Sequence, residues 1–138
     1  SDAGWFVAII EEGSFGGTCL NRGCISSKML IHCADVMQII ENAAAFGIRA
    51  KVESIDWQFI VKRAFVEVDA DAAMIERGNR QSENIEVFKG PGRFTGPKTL
   101  AVDIPGSDEE ELTDETILIA AGTRPWAPEI PGLDQMPV

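Results

Sequence analysis

The sequence predicts an α/β fold built on a parallel sheet, with a small antiparallel insertion. Two continuous apolar runs, residues 6–10 and 116–120, read as strands buried on both faces, the kind that parallel sheets contain. Between them lie two long segments with helical spacing of apolar residues. Two short strand-like pieces around a Gly-Pro turn follow the second helix and supply the insertion.

The first strand ends at Glu11-Glu12-Gly13. The stretch Gly16-Gly17-Thr18-Cys19-Leu20-Asn21-Arg22-Gly23-Cys24-Ile25-Ser26-Ser27-Lys28 comes next. Ile25, Met29, Leu30, Ile31, Val36, Ile39 and Ile40 then recur at helical intervals, which puts Cys24 at a helix start. That helix runs to Ala45 or Phe46 and stops at Gly47, a typical capping residue. His32 and Cys33 lie inside it, with His32 read as a packing or solvated residue. Residues 48–52 form a short extended piece. Asp56 is an N-cap, with Ile55 before it placed to staple the first turn. The helix it opens spans residues 57–80, with a stripe of Ile60, Ala64, Val68, Ala72 and Ile75 widened by Val61 and Phe65. Residues 85–88 resume a strand. Gly90-Pro91-Gly92 is not a phosphate loop, because Thr95 takes the third glycine's place and no helix follows. Residues 93–95 and 99–102 pair as a hairpin across Gly96-Pro97. Residues 105–115 are an acidic surface loop, 116–120 a strand, and Pro128, Pro131 and Pro137 around Gly132 mark a linker.

The 138 residues suffice for one domain's worth of core. No apolar run approaches the ~20 residues that cross a bilayer. The net charge of −10 is uneven: residues 99–138 carry nine acids against Arg124 alone, whereas residues 1–98 hold 13 acids and 11 bases. An acidic chain without a basic patch argues against nucleic-acid binding. Three cysteines, an odd number, do not suit a secreted disulfide scaffold and fit a reducing, cytoplasmic setting with one catalytic pair.

Cys19 and Cys24 are close enough in sequence to bridge. A thiol at a helix start is favoured as thiolate by the open N–H groups and the macrodipole, and thiolate is the reactive form. The pair reads as a catalytic dithiol, beside three plainer readings: a structural disulfide, a zinc half-site, or two buried thiols. A zinc site needs about four ligands, and only His32 and Cys33 remain to complete one, so no metal is expected.

The stretch from Gly16 to Lys28 resembles the redox-disulfide motif of the FAD-dependent pyridine nucleotide–disulfide oxidoreductases, G-G-T-C-x-N-x-G-C-x-P-S-K. It departs only at Ser26, which stands at the proline position and is expected to loosen the first turn of the helix slightly. Residues 120–125 resemble that family's Ala-Thr-Gly-Ser-x-Pro, with Ala121 and Thr123 in place of its threonine and serine. The resemblance implies a doubly wound dinucleotide domain. It implies that Cys19 is the interchange thiol that attacks the substrate disulfide. Cys24 is the charge-transfer thiolate facing the flavin, and Lys28 steadies the reduced flavin by its charge. Glu11, at a strand end where dinucleotide folds hold an adenosine ribose, is implied as the FAD ribose ligand. Gly16, Gly17 and Thr18 pass along the pyrophosphate and flavin, Gly92 meets the adenine, and Ala121 and Gly122 close over the ribityl end.

Such a domain opens with a strand, a G-x-G-x-x-G turn and a helix. This sequence resembles the family only from the second strand onward. Residues 1–138 are therefore expected to form a partial FAD-binding domain lacking the first strand and phosphate loop. By the resemblance, residues 126–138 are expected to be a linker toward a nicotinamide domain outside this sequence. The parent enzyme implied is a homodimer moving electrons between NAD(P), FAD and the Cys19–Cys24 disulfide, with a small-molecule dithiol or disulfide substrate. Leu20-Asn21, Ile25 and Met29-Leu30 favour the dihydrolipoamide dehydrogenase branch, with mercuric reductase as the runner-up. A second expectation is a flavin-free, catalytically silent fragment that associates through its open sheet edges.

Overall fold

The computed structural model describes residues 4–133. Strand β1 (Val7–Glu11) leads through a loop into the short helix α1 (Gly17–Arg22) and then α2 (Cys24–Asn42). A 3-10 turn over Ala43–Phe46 extends α2 to Gly47, whose φ of 77° is the left-handed cap expected there. Helix α3 (Trp57–Arg80) begins at Asp56, whose carboxylate accepts the Phe59 N–H at 2.9 Å. Then come β2 (Ile85–Lys89), β3 (Gly92–Gly96), β4 (Thr99–Val102) and β5 (Glu110–Thr113).

β1 and β2 pair in parallel, with Val7 opposite Ile85 and Glu11 opposite Lys89. The helices α1 to α3 make the crossover between them, as a parallel pair requires. β3, β4 and β5 form a separate antiparallel meander in that order. The α/β class with a small antiparallel sheet is the one the sequence predicts.

Packing starts from α3. Its small inward residues Ala64, Val68 and Ala72 are buried, as the stripe requires, and let α1 and α2 approach closely. Leu20 of α1 packs into this face with Val68 and Ala72. Phe88 on β2 and Ala101 and Val102 on β4 are also buried. Ile75 and Phe65, assigned to the stripe or its margin, remain exposed at 38% and 46%.

Four expectations are corrected. Residues 6–10 are not buried on both faces: Phe6 is 84% exposed, and Val7, Ile9 and Ile10 are only half-buried. β1 has β2 on one edge and no described strand on the other, so its cover is incomplete. Residues 116–120 form no strand, and Leu118 stands 89% exposed. An extended segment becomes a strand only when a ladder partner takes its N–H and C=O groups, and no described strand runs beside it. Residues 48–52 likewise pair with no described strand. Within the acidic loop, Glu110–Thr113 is in fact a strand, because its Leu112 sits opposite Leu100 while its acids face water along the edge. Pro137 of the expected linker lies outside the described residues.

Candidate redox and cofactor site

The end of β1 fixes the first part of the site. Glu11 closes the strand, and its carboxylate turns to accept the Gly13 N–H at 2.8 Å. Lys89, opposite Glu11 in the ladder, donates its ammonium to the Gly13 carbonyl and lies 5.1 Å from the ring centre of buried Phe15. The loop after β1 is thus held on both sides of Gly13.

Gly16 then turns the chain into α1 with φ 106°, a conformation that side-chain-bearing residues rarely adopt. A Cβ there would stand 2.4 Å from Leu20 Cδ2, so the turn and the core contact of Leu20 demand glycine together. Gly17, also left-handed, opens α1, and Thr18 follows it on the surface.

The sequence alone assigns Asn21 no role. Its Nδ2 donates toward the carbonyls of Ser14 at 3.2 Å, Phe15 at 3.0 Å and Gly17 at 3.1 Å. Three surrounding carbonyls can be satisfied only by the amino end of the amide. Its place as a fixed letter of the motif was the available signal.

Gly23 separates α1 from α2. A Cβ on it would meet the Thr18 carbonyl oxygen at 2.9 Å, so the two helices join only through a bare backbone. Cys24 is the first residue of α2, as its spacing predicts. The first turn is formed, with the Ser27 N–H donating to the Gly23 carbonyl at 3.0 Å and the Ser27 hydroxyl to the Cys24 carbonyl at 3.2 Å. Ser26 is buried there, and its hydroxyl reaches the Gly23 carbonyl at 3.4 Å.

Cys19 and Cys24 are both free and exposed, which removes the reading of two buried thiols. The neighbouring Cys24 side chain, the largest influence on it, pushes the Cys19 thiol up from its ordinary value. Lys28 is exposed one helical turn beyond Cys24, on the same face of α2. Cys33 is half-buried, and its thiol donates to the Met29 carbonyl at 3.5 Å, apart from the pair. His32 is exposed.

Gly92 begins β3 beside the end of β1, where a Cβ would stand 3.0 Å from Ile10 Cγ2. Ala121 and Gly122 lie on an exposed segment outside the described strands, and the structure does not bring them against the other candidates. Two residues on, the exposed Arg124 guanidinium stands 4.0 Å from the Glu12 carboxylate. A groove beside Glu12 and Phe15, walled by Asp69, Ala72 and Glu76 of α3, opens at the end of β1. The structure therefore has two groups: Glu11 with Gly92 at the end of β1, and the Cys19–Cys24–Lys28 face. The clasped loop from Gly13 to Gly17 joins them.

The chain is 40% identical over 127 residues to mycothione reductase of Mycobacterium tuberculosis, covering 88% of this chain and 27% of that protein. It is 36% identical over 138 residues to dihydrolipoyl dehydrogenase of Chlamydia muridarum, covering 99% and 29%. The solved structure of the HOCl-induced flavoprotein disulfide reductase RclA from Escherichia coli, in its Cu(II) complex, superposes with a TM-score of 0.74 at 30% identity. That superposition covers 99% of this chain and 27% of the other. The chain thus spans under a third of the length of the relatives it matches. Residues 2–137 match the family described as pyridine nucleotide-disulphide oxidoreductase, whose members are FAD-dependent and use NAD(P) in the full enzymes. This chain belongs to the pyridine nucleotide-disulphide oxidoreductase family.

Proposed function

We propose that this chain supplies the dithiol and part of the FAD cradle of a flavin-dependent disulfide oxidoreductase. The observation that carries the reading is the Cys19–Cys24 pair, free and exposed on either side of Gly23 at the start of α2.

The residues present fit a dinucleotide. A carboxylate closes a parallel strand at Glu11, held by the Gly13 N–H. Gly92 runs bare beside Ile10, where a side chain would intrude. In this reading Glu11 holds the ribose, Gly16 and Gly17 pass beside the pyrophosphate, and Thr18 lies with the two cysteines along the flavin. Gly92 receives the adenine, and Ala121 and Gly122 cover the ribityl end. FAD, when bound, passes an electron pair between a pyridine nucleotide and the dithiol.

The chain's own chemistry is thiol–disulfide interchange. Cys19, as thiolate, attacks one sulfur of a substrate disulfide. A Cys19–substrate mixed disulfide forms, and the first substrate thiolate leaves to take up a proton. Cys24, as thiolate, then attacks Cys19 Sγ. The Cys19–Cys24 disulfide forms and the second substrate thiolate leaves. One disulfide and one dithiol go in, and one disulfide and two thiols come out. The reverse sequence oxidises a dithiol. Lys28, a turn beyond Cys24, places a positive charge where negative charge accumulates.

The substrate class is a small-molecule disulfide or dithiol. The preference for dihydrolipoamide rests on residues that mostly face inward: Leu20 is buried and Met29 and Leu30 are half-buried, leaving Ile25 exposed. A homodimer with NADH or NADPH as electron source belongs to the same reading.

Equilibration of the chain with dithiothreitol couples of graded potential, acid quenching and peptide mass analysis tests this function. The expected result is one reversible two-electron transition linking Cys19 to Cys24. Persistent free thiols at oxidising potentials, or pairing of either cysteine with Cys33, would overturn it.

A second reading has its own observation. Phe6, just before β1, is 84% exposed, and β1 has no described strand on its second edge, which suits self-association without flavin. Concentration-dependent oligomers in size-exclusion chromatography that persist with saturating FAD favour that reading; a flavin-bound species that no longer associates counts against it.

A further inference from the structure

We infer that Asn21 is a positioning residue for the dithiol: its amide clamps α1 onto the loop before it and so fixes Cys19 against Cys24. The inference rests on reading the two cysteines as a redox pair.

Cys24 needs little help. It opens a 19-residue helix that packs on α3. Cys19 sits in α1, which has six residues. A helix that short is not stable in isolation, and Gly23 uncouples it from the continuous ladder of α2. Its position must come from anchors. Leu20 supplies one, buried with Val68 and Ala72. Asn21 supplies the other, sharing two amide hydrogens among the carbonyls of Ser14, Phe15 and Gly17. The chain between those carbonyls contains Gly16, whose left-handed turn gives the loop no side-chain support of its own. Cys19 lies immediately before these two anchors in sequence and is itself exposed.

The clamp matters to redox chemistry because disulfide formation depends on how often the two sulfurs meet. Holding them in contact raises their effective concentration and favours the ring-closed disulfide. In the clamped geometry the two cysteines lie on either side of Gly23, close enough for Cys24 to dominate the surroundings of the Cys19 thiol. Replacing the amide by a carboxylate keeps the shape but turns an acceptor toward three carbonyls, so the loop must release α1.

The dithiothreitol titration with peptide mass readout, run on wild type, Asn21→Asp, Asn21→Ala and Asn21→Gln, tests the inference. Asn79→Asp, which removes a comparable amide bond to the Ile75 carbonyl on α3, is the control. Wild type is expected to close the Cys19–Cys24 disulfide reversibly. Asn21→Asp is expected to need an oxidised-to-reduced ratio about fivefold higher or more for half-closure. Asn21→Gln, which keeps the amide, is expected to recover part of the shift, and Asn79→Asp to show none. If Asn21→Asp does not fold by circular dichroism, Asn21→Ala carries the same expectation. An Asn21→Asp or Asn21→Ala variant that folds and titrates like wild type, or an Asn79→Asp shift of equal size, overturns the positioning role. A wild type that never closes this disulfide overturns the redox reading instead.

Discussion

Cys19 and Cys24 lie on either side of Gly23, one near the middle of a six-residue helix and the other on the first residue of a long one. The Cys19 thiol is pushed up from its ordinary value, chiefly by Cys24 beside it. The reactive form is the thiolate, so at neutral pH Cys19 is slower toward an alkylating agent than an isolated cysteine. Removing the partner lowers the Cys19 value toward the ordinary one and enlarges its thiolate fraction. Cys24→Ala is therefore expected to speed iodoacetamide labelling of Cys19 at pH 7 by about threefold and move its pH–rate midpoint downward. Rates by peptide mass spectrometry check this; an unchanged or upward-shifted midpoint contradicts it.

Gly16→Ala is expected to destabilise the chain by about 2–4 kcal/mol, combining a left-handed backbone with overpacking against Leu20. Urea denaturation measures it. The double variant with Leu20→Ala is expected to cost less than the sum of the two single changes, because the clash partner is gone. Strict additivity would show that Leu20 is not what the new methyl meets.

Asp56→Ala removes the acceptor for the Phe59 N–H and is expected to cost about 1 kcal/mol. Asp56→Asn, which keeps an oxygen at the cap, is expected to retain most of the stability. Thermal melts of the three proteins decide this, and equal losses in both variants would remove the capping explanation.

What was legible in the sequence was local. Asp56 as the N-cap, the bounds of α3, Gly47 as the stop after α2, and Cys24 as the first residue of α2 all follow from groups within one or two turns of each other. The β3–β4 hairpin was legible for the same reason, since Gly96-Pro97 and its flanking strands are contiguous. Three things were not. Residues 116–120 have strand-like composition, but a strand is a property of a pair, and no described neighbour completes it. Residues 110–113 carry three polar side chains, yet β4 offers a partner edge and Leu112 an inward contact. In the site, the cysteines and glycines were marked by their types, whereas the threefold clamp by Asn21 needed coordinates. An asparagine reads the same in sequence whether it is solvated or holds three carbonyls.

The visible spectrum of the chain with added FAD, before and after stepwise reduction, tests the central claim that the dithiol faces a flavin. The account predicts a shifted flavin band on binding. Reduction of the dithiol is expected to bring out a long-wavelength absorbance that Cys24→Ser abolishes and Cys33→Ser leaves intact. Flavin that stays unbound, or bound flavin whose spectrum is the same in wild type and Cys24→Ser, would contradict it.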